Sequence, residues 1–154
     1  MRLRFPLLIL AAASLVLAAD HPDFSGNWKI DPGRSDFGGT PPPDSFTRKI
    51  EQDGPSLIFT DEQSSAAGHE KAVRKYTTDA KPTTYQWMGS EVKSAAHWDG
   101  DKLIIVGNVD SNGTEIVVTS TITLSADGKT LTEDDKLSAG GNEMGGFKLV
   151  LAKQ

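Results

Sequence analysis

The sequence predicts one all-β domain, a single antiparallel up-and-down β-barrel of about eight to ten strands, preceded by an N-terminal export signal. Three observations carry this expectation. Apolar residues recur with a period of two through most of the chain, the mark of strands buried on one face. Dipeptides that accept positive φ separate the runs, as tight hairpins require. No long apolar stretch of helical period follows the first 19 residues.

Taken in order, the chain opens with Arg2 and Arg4, an uncharged apolar stretch from Phe5 to Leu17, and small residues at Ala18 and Ala19. These are the three parts of a secretory signal, so residues 1–19 are expected to be removed, with cleavage after Ala18 or Ala19. The run is shorter than the about 20 apolar residues of a spanning helix. The chain has no cysteine, which removes lipid attachment at the cut site, disulfides and thiolate metal sites together. The remaining 20–154 segment, about 135 residues, suffices for one packed core and leaves little room for two.

Strands are expected near 25–30, 45–52, 56–61, 69–77, 83–88, 91–98, 102–109, 115–125, 130–137 and 146–152. In the eighth, Ile116, Val118, Ile122 and Leu124 oppose Glu115, Thr119, Thr121 and Thr123. In the last, Phe147, Leu149 and Leu151 alternate with Lys148, Val150 and Ala152. In the sixth, Val92, Ala96 and Trp98 oppose Glu91, Lys93 and His97. Asp99-Gly100, Asn112-Gly113, Asp127-Gly128 and Asp53-Gly54-Pro55 mark turns. Such short connections make a meander, and a meander of this many strands leaves open edges unless it closes. Residues 31–44, with Pro32, Gly33, Gly38, Gly39 and Pro41-Pro42-Pro43, read instead as a long semi-rigid loop.

Charge narrows the partners. The formal net charge of −5 moves to about −7 once Arg2 and Arg4 leave the 16 basic residues to be set against 21 acids. This argues against nucleic acid and anionic membrane surfaces. The acids are dispersed except for Glu133-Asp134-Asp135, which reads as part of a solvated face. The face opposite the apolar one carries Lys49, Lys71, Lys75, Lys93 and Lys148, whereas an outer-membrane barrel needs an apolar outward band about 25 Å tall. A free periplasmic or secreted protein with no stable membrane anchor is the expectation.

At Phe24-Ser25-Gly26-Asn27-Trp28-Lys29 the sequence resembles a known family. Gly26-Asn27-Trp28 is a G-x-W motif on the first strand, similar to the opening signature of lipocalin or calycin barrels. Asp23 to Phe37, the stretches Ala96 to Leu103 and Leu124 to Leu131, and the final Lys148-to-Gln154 strand resemble a group of small exported bacterial lipocalin-like proteins. The resemblance implies that Gly26 and Trp28 are structural, with Trp28 closing the barrel floor beneath a basic side chain from a late strand. No arginine follows Arg74, which leaves Lys148 and Lys153 for that place.

Catalytic patterns fail one at a time. Gly33-Arg34-Ser35-Asp36-Phe37 lacks the second glycine of a nucleophile elbow and the strand before it. His69-Glu70 lacks a second histidine, since Val73 stands in its place. Gly141 to Gly146 is not followed by Lys-Ser/Thr. His21, His69 and His97 are far apart in sequence, so no metal site is expected. Asn108 to Gly113 follows half of a calcium loop, but Asn stands first and Thr119 replaces the closing Glu, so an Asn-Gly hairpin is the simpler reading. Asn112-Gly113-Thr114 is also a glycosylation sequon, relevant only in a eukaryotic secretory pathway.

What remains is a set of aromatics, Tyr76, Tyr85, Trp87 and Trp98, with Gly89, Ala95, Ala96 and Gly107 leaving room near them. They line a ligand cavity or fill a core, and parity alone does not separate the two. The functional expectation is a carrier of a small apolar or amphipathic molecule, without cofactor, metal or catalytic residues. The alternatives are a filled barrel serving as a structural or protein-interaction module of the cell envelope and, third, a lipocalin-type isomerase.

Overall fold

The computed structural model of the chain describes residues 21–87 and 89–154. The expected export signal at 1–19 lies outside them. Ten strands follow one another: β1 (Gly26–Ile30), β2 (Ser45–Asp53), β3 (Ser56–Ser65), β4 (Gly68–Thr77), β5 (Thr83–Trp87), β6 (Ser90–Asp99), β7 (Lys102–Ser111), β8 (Thr114–Leu124), β9 (Thr130–Ala139) and β10 (Asn142–Lys153). They form one sheet in the order β4-β3-β2-β1-β10-β9-β8-β7-β6-β5, and every pairing is antiparallel. All but one of these neighbours are consecutive in the chain. The exception, β1 with β10, joins the ends of the domain through Trp28↔Lys153 and Ile30↔Leu151.

The sheet curls until its two edges, β4 and β5, stand side by side without a hydrogen-bonded ladder. The barrel is therefore nearly closed, with one seam. The segment after β4 leans on β6 instead: Ala80 N donates to Ala96 O at 2.9 Å, and Asp79 bridges His97. The expected long loop at residues 31–44 packs along the closing strand, where Asp36 pairs with Lys148 and Asp31 N donates to Val150 O at 2.8 Å. Asn112 and Gly113, at φ 54° and 81°, form the two-residue turn between β7 and β8. Positive φ at both positions lets that turn follow the twist of its strands.

Inward positions divide the barrel in two. At the end bearing the β2–β3, β6–β7 and β8–β9 turns the interior is solid, with Trp28, Leu57, Leu103, Ile122, Leu131 and Leu151 at most 1 % exposed. Trp28, the tryptophan of the G-x-W pattern, is buried at this end. Its Nε1 donates to Phe24 O at 2.9 Å, and Lys153 Nζ lies 5.3 Å from its ring centroid. Gly26, at φ 137°, makes room for this: a Cβ there would stand 2.9 Å from Lys153 Cε. The other half of the barrel is hollow.

Candidate functional site

The hollow half is a cavity of about 760 Å³ reaching toward the end of the β3–β4, β5–β6, β7–β8 and β9–β10 turns. Its walls are largely apolar, including Ile105, Val109, Val118, Leu137 and Leu149. The loop at 31–44 contributes Phe37, Pro41 and Pro43 to the rim. Gly107 keeps the wall thin on β7, since a Cβ there would already touch Val92 and Ser94.

The floor of the cavity is a belt of charge resting on the solid half. Arg48 and Asp61 face each other across β2 and β3. Arg48 grips Asp61 with two bonds, Nε to Oδ1 at 2.7 Å and Nη2 to Oδ2 at 2.9 Å. Its third nitrogen, Nη1, donates to Glu133 Oε2 on β9. Arg74 on β4 adds Nη2 to Asp61 Oδ2 at 2.5 Å and Nη1 to the Tyr76 hydroxyl at 3.4 Å. The Phe59 ring lies under both guanidinium groups, at 5.2 Å from Arg48 and 5.3 Å from Arg74. Next along β9 toward the cavity mouth is Asp135, whose Oδ1 accepts from Ser120 on β8.

These groups are almost wholly out of water, with Arg48, Asp61, Glu133 and Asp135 each 3 % exposed. Burial alone would lift the Asp61 carboxyl, but the charges and hydrogen bonds of Arg48 and Arg74 outweigh it and hold Asp61 below the carboxylate range. Burial likewise works against the charge on Arg48, and Asp61 and Glu133 more than restore it. Asp135 has no arginine of its own. Burial, and then the neighbouring Glu133 charge, push it up to about 8, so at neutral pH it holds a proton. The seam is sealed by Tyr85, whose ring lies 5.8 Å from the Arg74 guanidinium and whose hydroxyl burial raises to about 12.

Of the aromatics singled out from the sequence, Tyr85 and Trp87 line the cavity wall on β5. Tyr76 is buried beneath it, edge-on to Phe59 with ring centroids 5.7 Å apart. Trp98 stands at the solid end, stacked on His21 at 4.4 Å and tilted against Phe24. The charged belt was not foreseen, and the solvated reading of Glu133-Asp134-Asp135 needs correction: Asp134 is exposed, while Glu133 and Asp135 point into the barrel. Alternation forces this split, since residues two apart on a strand share a face and adjacent ones do not. The available signal was polar residues on apolar parity, as in Phe46-x-Arg48-x-Ile50, Phe59-x-Asp61, Arg74-x-Tyr76 and Leu131-x-Glu133-x-Asp135.

Among the described residues, no group of three His, Cys, Asp or Glu side chains is placed to hold a metal ion. No helix among them is long and apolar enough to cross a membrane. What the arrangement offers is a hollow with apolar walls and a polar floor that carries one exchangeable proton near neutral pH.

This geometry is that of a near-closed antiparallel β-barrel, and comparison with solved structures shows that it resembles calycin-type folds. The chain is similar to a secretory abundant heat soluble (SAHS) protein of Ramazzottius varieornatus, at a TM-score of 0.62 and 18% identity over 84% of this chain and 94% of that one. It is also similar to secretory abundant heat soluble protein 4 of the same organism, with a TM-score of 0.54 and 18% identity over 85% and 94% of the two chains. A Schistosoma mansoni fatty acid binding protein, solved with arachidonic acid, gives a TM-score of 0.51 and 13% identity over 85% and 96%. At these identities the likeness is one of fold. No family model and no curated protein sequence matches the chain.

Proposed function

We propose that the barrel binds a small amphipathic molecule in its hollow half. The observation that carries this reading is the cavity itself. Its volume of about 760 Å³ lies within the range of about 300–1,000 Å³ usual for small-molecule sites, and its apolar walls over a polar floor follow the same plan. The test is native mass spectrometry of the protein purified from its source, joined to tryptophan fluorescence against a panel of lipids and pigments. A co-purifying ligand, or a saturable response, is expected. Protein that repeatedly emerges empty and ignores the panel overturns the reading.

A second reading is a structural or protein-interaction role in which the cavity stays unused. Two observations favour it: the fold likeness to the SAHS proteins exceeds that to the fatty acid binding protein, and most of the buried charge is already paired within the barrel. Occupancy separates the two readings. We also place the protein outside the cytoplasm, as a periplasmic or secreted protein, on the pattern of Arg2 to Ala19. N-terminal sequencing of the exported fraction tests this, and a start at Met1 there would refute it.

A further inference from the structure

We propose that the cavity selects an amphipathic cation, of the alkylamine class, over a fatty-acid anion, because its floor holds more carboxyl groups than cations and both arginines are already engaged. The inference rests on the carrier reading above and names the head group that reading leaves open.

Among the described residues, the side chains lining the cavity include two cations, Arg48 and Arg74, and three carboxyl groups, Asp61, Glu133 and Asp135. All three guanidinium nitrogens of Arg48 already donate to carboxylate oxygens. Arg74 donates from one nitrogen to Asp61 and from another to Tyr76, and its Nε is buried without a partner. Its flanks are covered by Phe59 and Tyr85. An arriving carboxylate would meet two arginines that already pair with carboxylates and would bring a fourth carboxyl to two cations, and displacing Asp61 or Glu133 to make room would strand a buried anion.

The order of groups along the strands adds to this. Asp135 precedes Glu133 on the way down β9 from the cavity mouth, so a descending head group meets carboxyls before it reaches Arg48. The groups facing Asp135 are Ser120 on β8, Glu133 on β9, Arg48 on β2, Asp61 on β3 and Arg74 on β4. On β10 its register partner is Phe147, which carries no charge. With Asp61 and Glu133 matched to the two arginines, Asp135 is the remaining carboxyl, and an ammonium beside it completes the balance. The event is a proton exchange: RNH3+ enters, the Asp135 carboxyl loses its proton to solvent, and an ammonium–carboxylate pair forms. No other bond changes.

The test is calorimetric titration with dodecylamine, dodecanol and dodecanoate, which share one chain and differ in the head. At pH 8.5 the amine is expected to bind at least about tenfold tighter than either of the others, a difference of about 1.4 kcal/mol. At pH 7, repeating the amine titration in buffers of different ionisation enthalpy is expected to show net proton release, approaching about one proton per amine bound. Asp135→Asn is expected to abolish both the preference and the proton release while dodecanol binding persists, which shows the variant still folded. Tightest binding of dodecanoate or dodecanol, or an amine preference that survives in Asp135→Asn, overturns the head-group inference and leaves the carrier reading standing. Failure of all three chains to bind overturns the carrier reading, and this inference with it.

Discussion

Replacing Asp135 with Asn should make the protein more stable, and increasingly so as pH rises. The unfolded chain ionises this carboxyl at its ordinary value of 3.8, whereas the folded chain releases the proton only near about 8. Below 3.8 both states are protonated and the group contributes nothing to pH dependence. Above that value the native state binds a proton that the unfolded state has lost, so stability falls as pH rises, by up to about 1.4 kcal/mol per pH unit. The penalty is complete only above the folded value of about 8. For these two values the loss between pH 6 and pH 8.5 is on the order of 2–3 kcal/mol. Asparagine cannot ionise, yet its amide oxygen keeps the hydrogen bond that Asp135 Oδ1 accepts from Ser120. Urea unfolding of both proteins across this range should therefore show a gap that widens by roughly 2–3 kcal/mol, since titrations of groups remote from Asp135 are common to both and cancel. Stability curves that run parallel between pH 6 and 8.5 would refute the assignment of Asp135 as a carboxyl kept neutral by burial and by Glu133.

Arg48→Met should destabilise the fold by about 3–5 kcal/mol in urea unfolding, because Asp61 and Glu133 would then share a buried site with only Arg74 to offset them. Adding Glu133→Leu, which leaves the Arg74–Asp61 pair intact, should recover much of that loss, and no recovery would show that packing rather than charge set it. Gly26→Ala should lower stability by about 1–3 kcal/mol, read as a fall in Tm, since it combines a φ of 137° with a Cβ 2.9 Å from Lys153 Cε. Lys153→Ala in that background should relieve the contact and leave the backbone strain. Leu103→Ala, in the solid half, should cost about 2–5 kcal/mol. Leu137→Ala, on the cavity wall, should cost clearly less, because that side chain has open space on one side.

The meander was legible because alternation and turn chemistry are local. All ten expected strands form, and their ends differ by up to about four residues, most at β3 and β10. Those extensions run through Glu62-Gln63-Ser64-Ser65 and Asn142 to Gly145, polar or glycine-rich stretches that pair as the ends of hairpins despite low strand propensity. The Pro- and Gly-rich segment at 31–44 was read as a loop because proline and glycine break both regular patterns. Of the two basic residues left to stand over Trp28 by the lack of late arginines, Lys153 is the one whose Nζ lies near its ring.

Sequence by itself therefore determined the strands, their order of succession and, where alternation is clean as in β6, β8 and β10, which face turns inward, since these follow from a two-residue period and tight turns. Closure decided the rest. Arg48, Asp61, Arg74, Ser120, Glu133 and Asp135 stand on five different strands, and only the curl that brings β1 against β10 places them at one height inside one barrel. Closure likewise fixes which aromatics face the hollow, Tyr85 and Trp87, and which are packed elsewhere, Tyr76 and Trp98. The physical reason is that inward parity says only that a side chain leaves water. Whether it meets a guanidinium, a phenyl ring or empty space depends on strands far away in the chain, and that meeting sets its charge.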